Sequence, residues 1–251
     1  LAIMTALTPR AVFRLALRQT EGLLGSVIRL LGLDLAIPDH STRGETLEVA
    51  RPQSNAEPVH LLVDSTELKL CGADEWLVEK HGTSRRRSWR KRHIGVGADT
   101  GIDAAELTTN DVVDGLRVGL LLDQVTEPLA SFTGDGAYDQ EGVYVSVTER
   151  HREAVVVVPP RSTASETAET EPTQRNCHLQ LIAQKGRMGW QKTSGYNKRA
   201  RVEAAIGRYK RVIGDGLRSR SPRSQRTEIT VAVRALNRML EFGRPNDLRT
   251  T

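Results

Sequence analysis

Apolar residues return at helical spacing from Thr8 to about Leu33: first Val12, Phe13, Leu15 and Leu17, then Leu23, Leu24, Val27, Ile28, Leu30 and Leu31. The pattern predicts two helices, with Thr20-Glu21-Gly22 as the break between them. The run Ile37-Pro38-Asp39-His40-Ser41-Thr42-Arg43-Gly44 closes this helical preface, and Arg51 to Pro58 reads as a polar linker. A small helical N-terminal segment is therefore expected over residues 1–50.

The period then changes. His60-Leu61-Leu62-Val63-Asp64-Ser65-Thr66 reads as a short buried strand, His93 to Gly97 as a second and Ile102 to Leu107 as a third. The last two are expected to pair as a hairpin across Ala98-Asp99-Thr100-Gly101. A helical stretch follows from Asp111 to Val125, then a strand from Pro128 to Thr133, a helix from about Gln140 to Arg150, and the β-branched strand Ala154 to Val158, stopped by Pro159-Pro160. This order predicts an α/β domain over residues 59–245, a mixed sheet flanked by helices. Residues 161–175, rich in Ser, Thr and Glu, read as a mobile loop within it. Helical spacing resumes from Asn197 to about Gly214 and from Ser224 to Phe242.

Composition narrows the function classes. With 251 residues and 38% hydrophobic content the chain can bury an ordinary core, and no run of about 18 apolar residues points to a membrane helix. The two cysteines, Cys71 and Cys177, lie outside any CxxC or zinc-ligand spacing and read as reduced thiols of a cytoplasmic protein. No His joins a Ser or Cys in a nucleophile motif. The chain opens on Leu1 without a signal pattern, so a fragment lacking its start is the expectation.

Charge is unevenly placed. From Arg175 onward there are 18 Lys or Arg against 5 Asp or Glu, a net of +13, whereas the first 174 residues carry 18 against 26, a net of −8. The basic third is the expected polyanion-binding face, and Glu203 lies inside it.

Three carboxylates stand out. Asp64 sits in an apolar strand, where burial is costly without a partner or a metal; Asp135 is bracketed by Gly134 and Gly136 at a strand end. Each can also be read as structural, a buried hydrogen-bonded Asp and a tight turn. Asp139 nearby reads as a helix N-cap. Tyr196, Arg199, Glu203 and Lys210 fall on one side of a helix whose apolar stripe is Val202, Ala205, Ile206, Tyr209 and Ile213. Arg199 and Glu203 could equally form a surface i,i+4 ion pair.

The spacing Tyr, two residues, Arg, three residues, Glu, six residues, Lys, taken with Asp64-Ser65-Thr66 and Gly134-Asp135-Gly136-Ala137-Tyr138-Asp139, resembles the DDE transposases of bacterial insertion sequences. Flanking blocks extend the resemblance from about Val12 to Pro245: Leu17 to Gly22, Trp89-Arg90-Lys91, Gly189-Trp190-Gln191-Lys192 and Leu236-Asn237-Arg238-Met239. It implies an N-terminally truncated copy with a ribonuclease H-like catalytic core. The implied activity is DNA strand cleavage and strand transfer, with Asp64, Asp135 and Glu203 as catalytic residues holding two Mg²⁺ ions, with Mn²⁺ able to substitute. Tyr196, Arg199 and Lys210 would contact DNA near the scissile phosphate, and Arg85, Arg86, Arg87, Arg90, Lys91 and Arg92 would add a backbone clamp. The implied partners are double-stranded DNA, as terminal inverted repeats and target, and a second copy of the chain on that DNA, in the cytoplasm at the nucleoid. Two other readings stay open: an inactive truncated transposase that only binds DNA, and a host nuclease of the same fold. Relatives tend to carry an acidic residue where this chain has Gly97.

Overall fold

The computed structural model describes residues 2–37, 57–70, 89–164 and 173–243. Two helices open the chain, α1 (Ala2–Phe13) and α2 (Leu17–Leu30), but they part at Arg14 to Ala16 and not at Thr20 to Gly22. Arg14 takes a left-handed φ of 54°, which ends α1. The Gln19 side chain then accepts the Ala16 N–H at 3.0 Å and starts α2. Thr20 stays helical because its hydroxyl donates to the Ala16 carbonyl at 2.9 Å and is buried.

The chain divides into two compact units, one of Leu1–Ala50, Lys69–Arg87 and Arg208–Thr251, the other of Arg51–Leu68 and Ser88–Gly207. In the second, β1 (Val59–Leu70, as far as Leu68), β2 (Trp89–Gly97) and β3 (Gly101–Thr109) are followed by β4 (Leu129–Thr133) and β5 (Val155–Val157). Their order across the sheet is β3-β2-β1-β4-β5. The predicted hairpin is present: β2 and β3 are antiparallel, with Ile94 opposite Ala105 and Gly97 opposite Gly101. β4 runs parallel to both β1 and β5, and a parallel neighbour requires a crossover, so the helices between strands cover the sheet faces. The sheet is mixed and flanked by helices, as expected.

The stretch 111–125 is a single 3-10 turn at Asp114–Arg117 running into the short helix α3 (Val118–Leu122). With α4 (Glu141–Arg150) it closes one apolar core, in which Leu61 and Val63 of β1 meet Leu121, Phe132, Val143, Val147 and Val156. Gly95 has a packing reason, because a Cβ there would stand 3.1 Å from Leu61 and 3.3 Å from Ala104.

Helix α5 (Gln174–Ser194) is an element that the apolar spacing does not predict, and its first two residues fall in the stretch read as loop. Thr173 caps it by accepting the Asn176 N–H, and Gly186, at φ 69°, breaks it into two arms. Most of the remaining loop, residues 165–172, lies outside the described residues. A 3-10 turn, Tyr196–Arg199, then leads into α6 (Ala200–Val212).

In the first unit, β6 (Gly216–Leu217) runs parallel to Lys69 and Leu70, and α7 (Pro222–Glu241) packs against α1. Among the described residues no helix is long and apolar enough to cross a membrane.

Candidate active site

Parallel pairing brings the first two carboxylates together. Leu62 lies opposite Thr133, so Asp64 and Asp135, each two residues further on, emerge side by side where β4 ends. In each, one oxygen is tied to local backbone. Asp64 Oδ1 accepts the Ser65 N–H at 2.8 Å, and Asp135 Oδ1 accepts the Ala137 N–H at 2.9 Å, starting the 3-10 turn Gly136–Tyr138. Their Oδ2 atoms face the same cation, the Arg199 guanidinium, at 2.9 Å from Asp64 and 3.6 Å from Asp135.

Glu203 completes the cluster. Its Oε1 accepts from Arg199 Nη1, so one guanidinium bridges all three carboxylates. Gly195 at φ 73° ends α5, and the 3-10 turn Tyr196–Arg199 that follows leaves Arg199 one helical turn, four residues, before Glu203 of α6. Arg201 fixes the same helix to the hairpin turn, donating to the Ala98 carbonyl and the Asp99 carboxylate, both at 2.6 Å.

Burial and crowding set the electrostatics. Burial pushes the Asp64 carboxyl above the usual carboxylate range and Asp135 and Glu203 push it further, while the Ser65 N–H and Arg199 pull it back. Burial works against the Arg199 charge, yet Asp64, Tyr196, Asp135 and Glu203 outweigh it and raise the guanidinium pKa. The Tyr196 phenol is also raised, by burial first and then by Asp135, Glu203 and Asp64, while Arg199 pulls it back.

A family model described as a transposase DDE domain matches residues 55–238, and a second of the same description matches residues 1–73. The chain belongs to the DDE transposase family. Membership implies DNA binding and a part in transposition.

The transposase holds this cluster from behind through contacts that sequence spacing does not reveal. A Cβ on Gly134 would stand 2.8 and 2.9 Å from the Tyr138 ring, so only glycine lets that ring close over the strand end beside Asp135. Gly136 has ordinary room, with the nearest atom at 3.7 Å, and neither glycine has a positive φ. Asp139 is no helix N-cap: Gln140 occupies that position, and Asp139 is buried against Arg175 in a two-pronged ion pair of 2.8 and 3.1 Å, accepting also from the Arg161 N–H.

A buried chain supports Tyr196. His178 is hydrogen-bonded through Nε2 to the Val156 carbonyl at 2.7 Å, which makes that nitrogen the donor and leaves Nδ1 to accept the Trp190 indole N–H at 3.0 Å. The Trp190 ring lies 5.1 Å from the Tyr196 ring, centroid to centroid. Burial lowers the His178 pKa, keeping the imidazole neutral as both bonds require. Trp190 belongs to the block Gly189-Trp190-Gln191-Lys192 of the family resemblance, where it reads as a packing residue; His178 carries no sequence signal.

The remaining predicted DNA contacts are placed differently. Lys210 is exposed near the end of α6. Arg92 is fully buried in β2, and Lys91 is held by the Val112 carbonyl at 2.9 Å and Asp114 at 3.4 Å, so neither presents a cation for a backbone clamp. Arg90 is half-buried, and Arg85, Arg86 and Arg87 lie outside the described residues. At Gly97 a Cβ would meet Thr100 Oγ1 at 2.0 Å and Asp103 Oδ2 at 2.3 Å, so this chain fills with Thr100 and Asp103 the space a side chain at 97 would need.

Oxygen-only donors suit hard divalent ions. With all three carboxylates ionised the cluster carries −3, and −2 with Arg199 counted. As placed around the guanidinium, no group of three His, Cys, Asp or Glu among the described residues has metal-holding geometry. Three carboxylates are a donor set for a hard divalent ion; as spaced here they hold Arg199. Glu203, with its side chain 57% exposed, has room to turn.

Proposed function

We propose that this chain cuts the phosphodiester at the ends of an insertion sequence and joins the freed 3′-hydroxyl to target DNA, in a metal-dependent reaction at Asp64, Asp135 and Glu203. The observation that carries the reading is the convergence of these three carboxylates, 64, 135 and 203 in the sequence, on one guanidinium. A salt-bridge ladder on one helix would not draw in two aspartates from neighbouring strands. The three would hold two Mg²⁺ ions, with Mn²⁺ able to substitute; such a pair supplies activation of an attacking oxygen and stabilisation of the leaving one.

The chain's own groups do the positioning. The backbone N–H groups of Ser65 and Ala137 hold the inner oxygens of both aspartates, so the outer oxygens keep a fixed aim. Arg199 and the Tyr196 phenol stand beside the cluster, where a scissile phosphate would meet a cation and a hydrogen-bond donor. Exposed Lys210 would pair with a neighbouring phosphate. Joining two ends in one event calls for a second copy of the chain on the DNA, at the nucleoid in the cytoplasm.

The test is purified protein with Mg²⁺ and a duplex carrying the element end. Wild type should nick it. Asp64→Asn, Asp135→Asn and Glu203→Gln should bind the duplex but lose cleavage by more than the roughly 100-fold that removal of an outer metal-site partner costs. Wild-type binding without nicking in Mg²⁺ or Mn²⁺ would instead identify an inert DNA-binding form, and equal cutting of unrelated ends a nuclease of the same fold.

A further inference from the structure

Arg199 is the residue whose position asks for more than a DNA contact. Its side chain is 17% exposed, and its two terminal nitrogens are engaged with all three carboxylates while Nε is buried without a hydrogen bond. A cation that only awaited a phosphate would extend into solvent. This one occupies the space between the three carboxylates, and a second cation drawn to the same oxygens would be repelled strongly at low effective dielectric. Metal and guanidinium are therefore competitors for the same oxygens.

We propose that Arg199 makes metal loading conditional on DNA: the guanidinium holds the cation position among Asp64, Asp135 and Glu203 until a DNA phosphate draws it out. This rests on reading the cluster as a metal centre. The exchange is chemically matched, because guanidinium pairs with phosphate oxygens as readily as with carboxylates. Its departure leaves −3 among the outer oxygens. Glu203, the most exposed of the three, can then turn toward the entering ion, while the outer oxygens of Asp64 and Asp135 keep their aim. Reciprocity follows from linkage, so DNA tightens metal binding and metal tightens DNA binding. The consequence is specificity: the protein away from DNA carries its own internal counter-ion in place of a loaded cleaving centre.

The experiment measures Mn²⁺ binding to the full chain by electron paramagnetic resonance of the free ion, with and without a mixed-sequence DNA duplex, so that no cleavage is read. Without DNA, Arg199→Gln should bind Mn²⁺ about tenfold more tightly than wild type, within the range typical of coupled sites. Arg199→Lys, which keeps a charge, should fall between them. Adding duplex should tighten Mn²⁺ binding to wild type and have little effect on Arg199→Gln. If Asp64→Asn abolishes Mn²⁺ binding while Arg199→Gln binds as weakly as wild type or more weakly, the metal centre stands and Arg199 is only its brace, which overturns the proposal. If Asp64→Asn leaves Mn²⁺ binding unchanged, the metal reading itself fails and takes the proposal with it.

Discussion

Asp64 and Asp135 share a design at the level of single atoms, one oxygen on backbone and one toward Arg199, and small groups behind them keep it in place. Gly134→Ala should force the Tyr138 ring away, since 2.8 Å is too short for any Cβ contact, and cost about 1–3 kcal/mol by overpacking. Cleavage should fall with it because Asp135 is the next residue; urea unfolding and a nicking assay read the two effects. Trp190→Phe keeps a ring beside Tyr196 but leaves His178 Nδ1 without its donor, at about 1–3 kcal/mol for a buried unsatisfied group. His178 also gives a pH signature. Its pKa is lowered in the folded protein, so below 6.5 the unfolded chain binds more protons and stability drops as pH falls, while above 6.5 the full contribution is present. Urea titrations across that range should show this drop in wild type and a smaller one in His178→Gln.

At the scale of elements, the strands were legible because short apolar runs bounded by turns admit few other readings, and Leu61-Leu62-Val63 and Phe132-Thr133 pair in the register that juxtaposes Asp64 and Asp135. Helix α5 was not. Gly186 and Gly189 interrupt its spacing, and it holds its place through polar groups, Gln174 to the Val156 N–H, Arg175 to Asp139 and His178 to the Val156 carbonyl, which leave no apolar period to read. The break between α1 and α2 was misplaced for a related reason: a left-handed Arg14 carries no signal, whereas Thr20 and Gly22 resemble one. Arg199 beside Glu203 was legible as a pair, but its reach to both aspartates was not, because helical spacing carries no information on contacts with distant strands. The Asp139–Arg175 pair ties the turn after Asp135 to α5. Arg175→Ala should cost about 3 kcal/mol by leaving a buried carboxylate unpaired, measured as a lowered urea midpoint.

Across the whole molecule the sequence net of +13 from Arg175 onward has a partial structural counterpart: Lys210, Arg211, Arg218, Arg220, Arg223 and Arg226 are all exposed and lie in one compact unit. Phosphate contacts release counter-ions, so Lys210→Ala should lower the slope of log affinity against log salt by about 1, whatever the duplex sequence. An unchanged slope would remove Lys210 from the DNA track. Family membership was legible because the motif blocks span the chain, whereas the working state of the cluster was not, since charge alone does not say which cation the carboxylates hold. Ligand exchange at Asp135 tests that centre most directly. In Asp135→Cys a soft thiolate replaces a hard carboxylate, and cleavage of the element end is predicted to vanish in Mg²⁺ and return in Mn²⁺ or Cd²⁺. A variant that cuts as well as wild type in Mg²⁺ would contradict the assignment of these carboxylates as the metal-dependent cleaving centre.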